Sequence, residues 1–192
     1  MNCILAGVGG QGTVLASKLI AQAGLSDGLK VRTAETIGMA QRGGCVVSHV
    51  RTGKEVHSPL IPRGQADLII GFEPAEAVRN LAYLKENGTA VVAVKAVRPV
   101  TASLTGSSYD GSTMLDYLKA NVKNLILVDG DAICAQIGSP KVLNIALLGA
   151  ALDALNLTAE QMENVIRETV RPQFVEMNIK ALHAGLLAAR KE

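Results

Sequence analysis

Four glycines within six residues, Gly7, Gly9, Gly10 and Gly12, follow the apolar run Ile4-Leu5-Ala6 and precede the helix-compatible segment 14–21. That arrangement predicts a strand, a tight turn and a helix N-terminus in immediate succession. Glycine lacks a Cβ, so the turn can take positive φ and another backbone or a ligand can approach it closely. The unpaired N–H groups of the first helical turn and the positive end of the helix dipole favour a phosphate or carboxylate there. The dipole contributes only about 0.3–1 kcal/mol at an exposed position, so the turn suggests a site without identifying its ligand.

Strand and helix signals alternate along the rest of the chain. Strands are predicted at 2–6, 30–35, 45–51, 67–72, 89–94 and 125–128. Helices are predicted at 13–23, 75–86 and 115–120, with one buried helix over 142–155. Thr52-Gly53-Lys54 resembles turn material, so 55–61 is expected to return as the hairpin partner of 45–51. Asn87-Gly88 is expected to stop the helix opened by Glu73-Pro74. Residues 37–44 suit a loop or short helix, and 101–112 is the most loop-like stretch. Thr158-Ala159-Glu160-Gln161 fits a capping box and Pro172 a first helical turn. The expected architecture is a three-layer α/β sandwich in a single domain over 1–192, with a mostly parallel but mixed sheet, a β-hairpin excursion and C-terminal helices.

Composition narrows the function classes. Hydrophobic residues make up 48% of the 192 and charged residues 19%, enough apolar material for a core and no sign of disorder. A net charge of +2 and the absence of Trp give no basic or stacking surface for nucleic acid. The three cysteines, Cys3, Cys45 and Cys134, are widely spaced and never in a C-x-x-C pair, so neither a disulfide framework nor a cluster or zinc site is expected from this chain alone. Reduced thiols and the lack of a signal-type N-terminal segment point to the cytoplasm.

Two constellations carry possible chemistry. Gly7, Gly9 and Gly12 satisfy G-x-G-x-x-G between strand and helix, and Glu35 ends the second predicted strand where a ribose-binding acid would sit. On spacing this fits a dinucleotide, although no second domain follows to carry a substrate. The second constellation is Glu35 through Gly44, including Gln41, Arg42 and Gly43, followed by Ser48, His49 and Arg51. Arg42 could fork onto a phosphate or carboxylate, with the amides of Gly43-Gly44 beside it. Alternation places Ser48 and Val50 on one face of the strand and His49 and Arg51 on the other. A satisfied sheet histidine and a solvated arginine are the ordinary readings of the last two.

The run Gly7-Val8-Gly9-Gly10-Gln11-Gly12 after a strand, then E-T-x-G-x-x-Q-R-G-G-x-V-x-S-H-V-R over 35–51, resembles the gamma subunit or domain of 2-oxoacid:ferredoxin oxidoreductases. Within that family it is most similar to the small subunits of the indolepyruvate type. The segments Ala66–Pro74, Asn144–Gly149 and Glu176-Met177-Asn178 with Ala181 and Gly185 agree, so the resemblance spans nearly the whole chain. It implies oxidative decarboxylation of an aryl pyruvate, with coenzyme A accepting the acyl group and ferredoxin the electrons. It also implies that thiamine diphosphate and [4Fe-4S] clusters reside on a larger partner subunit and that no cofactor or metal is bound here. Gly130-Asp131-Ala132 is only a broken echo of a thiamine-binding G-D-G. Gly138-Ser139-Pro140-Lys141 departs from the family pattern. The Gly7–Gly12 turn, Glu35, Gln41–Gly44, Ser48, His49 and Arg51 are the candidate cofactor-binding or partner-facing residues, none of them catalytic. A free-standing Rossmann-type nucleotide-binding protein and a regulatory module on the same fold are the competing readings.

Overall fold

A computed structural model describes residues 1–37, 44–98 and 108–190. The strands are β1 (Asn2–Val8), β2 (Lys30–Ile37), β3 (Cys45–Gly53), β4 (Ala66–Gly71), β5 (Leu84–Ala93) and β6 (Asn124–Val128). The helices are α1 (Thr13–Ser26), α2 (Pro74–Asn80), α3 (Ser112–Asn121), α4 (Gly130–Ile137), α5 (Leu143–Ala150), α6 (Leu152–Leu155), α7 (Ala159–Thr169) and α8 (Pro172–Ala189). One sheet runs in the order β2-β3-β1-β4-β5-β6. β1, β4, β5 and β6 are parallel, and β3 lies antiparallel to both β1 and β2.

The period of two along each central strand divides the core into two layers. Cys3, Leu5, Leu68, Ile70 and Val91 point to one face, where they pack with residues of α1, α5, α7 and α8. Ile4, Ala6, Ile69, Ala90 and Val92 point to the other, against Ala77 of α2 and Leu118 of α3. Helices on both faces of a mixed, mainly parallel sheet make the expected three-layer sandwich. The closest approach in the helical layer joins α5 to α8. A Cβ on Gly149 would stand 2.0 Å from the Leu182 carbonyl oxygen, and one on Gly185 would stand 1.8 Å from that of Ala146.

Several local expectations are corrected. The hairpin lies between β2 and β3, with 38–44 as its connection and Ile37 opposite Val46. Residues 55–61 form no strand, because β1 and β2 already occupy both sides of β3. The helix after Pro74 ends at Asn80, passes through a short turn at Leu81–Tyr83 and gives way to β5 at Leu84. Asn87-Gly88 therefore sits inside β5, where the register with β4 shifts between Ala66 and Leu68. A Cβ on Gly88 would meet the Leu84 side chain at 2.6 Å and the Ala66 carbonyl at 3.1 Å, so glycine here allows a bulge to close on itself. The buried stretch 142–155 is divided into a turn at Pro140–Val142, α5 and α6. Helix α4 has no counterpart among the predicted elements. Its N-terminus is capped by the Asp129 carboxylate, which accepts from Ala132 N–H at 3.0 Å, and Gly138 ends it at φ 85°.

Candidate functional site

At the C-terminal ends of the parallel strands stand the glycine turn after β1, Gly44 just before β3, and Phe72–Pro74 after β4. Gly10 and Gly12 are left-handed, with φ 100° and 80°. Gln11 fastens the turn from inside. Its Oε1 accepts from Val8 N–H at 2.8 Å and its Nε2 donates to the Phe72 carbonyl at 2.9 Å. A Cβ on Gly7 would lie 2.8 Å from both Gln11 Oε1 and Phe72 Cβ, and one on Gly12 would lie 2.7 Å from Asn144 Nδ2. Two of the four glycines thus serve packing beneath the turn. The outer side is open: Gly10, Gln11 and Gly12 line a cavity of about 180 Å³ with Pro140, Lys141 and Leu143. Gly12 offers no side-chain cap to α1, so among the described residues the first amides of that helix have no capping side chain.

The two constellations meet at this edge through their described residues. Gly9 N–H donates to the Gly44 carbonyl at 2.9 Å, joining the glycine turn to the end of the β2–β3 connection. Gln41, Arg42 and Gly43 lie outside the described residues. Glu35, near the end of β2, accepts from Ser17 Oγ of α1 at 3.0 Å. Because β3 is inserted between β2 and β1, Glu35 sits two strands from the glycine turn. The doubly wound dinucleotide fold places the acid-bearing strand next to β1, so the geometry of a ribose-binding carboxylate is absent.

The remaining candidates are dispersed. Ser48 is fully buried in β3, opposite Leu5 and Glu35, and its hydroxyl has no hydrogen-bond partner among the described residues. Val50 shares its face, as alternation predicts. His49 points to the other face, where its Nδ1 accepts from Ile61 N–H at 3.1 Å and its ring stands edge-on to Tyr83 at 5.7 Å. Loss of water around it holds its pKa below the ordinary imidazole value, so it is a neutral acceptor. Arg51 pairs with Asn2 at the opposite edge of the sheet and donates to the carbonyls of Ser58 and Leu60 at 3.1 and 3.2 Å. Together His49 and Arg51 pin 58–61 across the sheet.

Sequence reasoning missed a polar cluster beside the turn. Glu73, only 2% exposed, caps α2 by accepting from Glu76 N–H at 3.1 Å and also accepts from the Tyr109 hydroxyl at 2.5 Å. Burial and then this carboxylate push the Tyr109 phenol well above its usual range. Cys45, opposite Val8, contacts Glu76 and Arg79; burial first and the Glu76 carboxylate second push its thiol up to about 11, so it remains protonated. Glu73-Pro74 did signal a helix start, but nothing local links it to a tyrosine 36 positions away.

The acid of the Gly130-Asp131-Ala132 echo and the thiols are engaged or apart. Asp131 pairs with Lys95 at 2.8 Å, and a Cβ on Gly130 would strike Leu143 at 2.2 Å. Cys3 and Cys134 are buried on different elements, and no group of three or more His, Cys, Asp or Glu side chains is assembled among the described residues. No helix among them is long and apolar enough to cross a membrane.

Comparison with known proteins matches this architecture. Indolepyruvate oxidoreductase subunit IorB of Pyrococcus horikoshii is 35% identical over 197 residues, covering 99% of this chain and 96% of that protein. Its counterpart in Archaeoglobus fulgidus is 37% identical over 188 residues, covering 96% and 93%. The crystal structure of a keto/oxoacid ferredoxin oxidoreductase gamma subunit from Geobacter sulfurreducens superposes with a TM-score of 0.73 at 24% identity, covering 100% of this chain and 99% of that one. The pyruvate ferredoxin/flavodoxin oxidoreductase model matches residues 2–188, and the chain belongs to that family.

Proposed function

We infer that the chain is the small subunit of an indolepyruvate (aryl pyruvate):ferredoxin oxidoreductase, a cytoplasmic complex in which a larger subunit carries the chemistry. The observation that carries this reading is the near full-length identity of 35% and 37% to proteins named as IorB subunits. In the reaction the 2-oxoacid loses carbon dioxide, its acyl group passes to the thiol of coenzyme A, and the electron pair goes to ferredoxin. Thiamine diphosphate and the [4Fe-4S] clusters belong to the larger subunit, consistent with the scattered thiols and the engaged Asp131 of this chain. The whole chain acts as one gamma-type domain.

Within that complex, the edge that carries Gly7–Gly12 and Gly44, together with the Gln41–Gly43 that precede Gly44 in sequence, is proposed to face the larger subunit or the phosphates of approaching coenzyme A. The Gly9–Gly44 hydrogen bond supports a shared surface, and the open amides near Gly10 with Lys141 beside them suit an anion. Glu35 approaches this edge from β2 through Ser17 of α1, whereas Ser48, His49 and Arg51 lie progressively farther along β3 from it. A native pull-down with the chain as bait, followed by an assay of indolepyruvate- and coenzyme A-dependent viologen reduction, tests the assignment. A brown, iron-containing larger subunit and dye reduction are expected. A chain recovered alone and colourless, with no such activity, overturns it.

A further inference from the structure

The cavity beside the glycine turn has two walls from distant parts of the chain. Gly10, Gln11 and Gly12 form one, and Pro140, Lys141 and Leu143 form the other. Gln11 ties the first wall to the sheet through Val8 and Phe72. The second wall is stiff in itself. Ser139 Oγ accepts from Lys141 N–H at 3.3 Å, Pro140 sits in the first turn, and the fully buried Val142 leads directly into α5. Among the described residues one hydrogen bond joins the walls: Asn144 Nδ2 donates to the Gly12 carbonyl at 3.3 Å. That carbonyl also accepts from Ala16 N–H at 3.1 Å, so Asn144 grips the acceptor that opens α1. Asn144 is 3% exposed, and its Oδ1 accepts from Ile145 N–H at 3.0 Å, which turns Nδ2 toward Gly12. A Cβ on Gly12 would stand 2.7 Å from that nitrogen, so glycine is what admits the amide. Among the described residues no acid lines the cavity, and Lys141 is exposed and makes no ion pair.

We propose that Asn144 is a positioning residue: by holding the Gly12 carbonyl it sets the gap between the glycine turn and Lys141, in which a phosphate of coenzyme A is received. The inference rests on the small-subunit reading above and chooses coenzyme A over protein for this part of the edge. Two features favour the phosphate. The uncompensated charge of the recess is positive, and a volume of about 180 Å³ admits a phosphate group but no helix or strand of a partner. The Lys141 ammonium attracts phosphate as a point charge, whereas the amides of a glycine turn hold it only at hydrogen-bond distance. Both act on one phosphate only where the gap matches. Asn144 does not line the cavity, so it acts through the two walls and not by touching the ligand.

The full chain is co-expressed with the complete larger subunit of its own host, as wild type, Lys141→Ala, Asn144→Ala and the double variant. Indolepyruvate-dependent viologen reduction is then measured against coenzyme A concentration. Lys141→Ala is expected to raise the KM for coenzyme A about tenfold, the scale of one charge-assisted contact, with kcat and the KM for indolepyruvate within about twofold of wild type. Asn144→Ala is expected to raise the same KM about fivefold with kcat again held. Asn144→Ser, which keeps a donor on a shorter side chain, takes its place if that variant does not assemble. The double variant is expected to match Lys141→Ala alone, because a gap that has lost one wall has no width to set. Equal factors from Asn144→Ala with and without Lys141 overturn the positioning role, as does a lowered Tm with an unchanged KM. A KM for coenzyme A within about twofold of wild type in Lys141→Ala overturns the phosphate, whether or not the larger subunit is lost, and leaves the subunit assignment intact. A wild-type chain that takes up no larger subunit overturns both.

Discussion

At the scale of single residues, contact between backbones decides more than side-chain chemistry does. Gly185 lets α8 lie directly on α5, since its missing Cβ would fall 1.8 Å from the Ala146 carbonyl oxygen. No rotamer change relieves a clash with backbone, so Gly185→Ala must push two buried helices apart. The expected cost is about 3 kcal/mol or more, a fall in Tm of roughly 6–12 °C for a chain of this size. A melting curve that does not move would mean that the helices are not in contact there. His49 provides a second test. It is buried and neutral in the fold, with its pKa held below the ordinary value by loss of water. The unfolded chain takes up a proton near pH 6.5 that the folded chain refuses. Stability from this site is complete above about pH 6.5 and declines as the pH falls through the lower, folded-state value. Urea unfolding between about pH 7.5 and about pH 5 should show a decline that His49→Gln reduces. The face of His49 was legible from alternation along β3. Its acceptor role was not, because the Ile61 amide reaches it through a loop held by Arg51 at the Ser58 and Leu60 carbonyls.

At the scale of elements, helix ends were legible where the signal is self-contained. Thr158 and Gln161 form the capping box that their spacing predicts, with Gln161 N–H donating to Thr158 Oγ1 at 3.1 Å and Thr158 N–H to Gln161 Oε1 at 2.9 Å. Thr158→Ala removes one arm and is expected to cost about 1 kcal/mol, or roughly 2–4 °C in Tm, with the capped helix losing hydrogen-exchange protection first. An effect confined to distant elements would count against the cap. Elements were misread where one dipeptide serves two purposes. Asn87-Gly88 ends helices in many chains, but here pairing with β4 holds the segment extended and the glycine closes a bulge. Thr52-Gly53-Lys54 has turn chemistry, yet β3 has no unoccupied edge for a returning strand. In both places the deciding partner lies elsewhere in the chain. Helix α4 escaped notice because its apolar stripe is short, although Asp129 and Gly138 mark its two ends.

At the scale of the whole molecule, strand order separates readings that the motif leaves open. The glycine turn and Glu35 satisfy a dinucleotide fingerprint by spacing, but the antiparallel β3 keeps that acid two strands away and joined to Ser17. The same insertion brings Gly44, just before β3, to the glycine turn, where its carbonyl accepts from Gly9 N–H. Arg42 lies outside the described residues, two positions before Gly44 in sequence, and is proposed to act at the edge lined by Gly10–Gly12 and Lys141. Arg42→Ala in the assembled enzyme distinguishes the two roles proposed for that edge. If the edge approaches a coenzyme A phosphate, the KM for coenzyme A should rise about tenfold, the loss of one charge-assisted contact, while co-purification of the larger subunit holds. If it faces protein, recovery of the complex should fall and the KM of the remaining complex should stay near wild type. Arg42→Lys restores the charge without the planar fork, so partial recovery of KM would indicate attraction to phosphate, whereas none would indicate a bidentate contact. Neither KM nor assembly moving would remove Arg42 from the shared surface and leave the glycine turn as packing for α1 against the sheet.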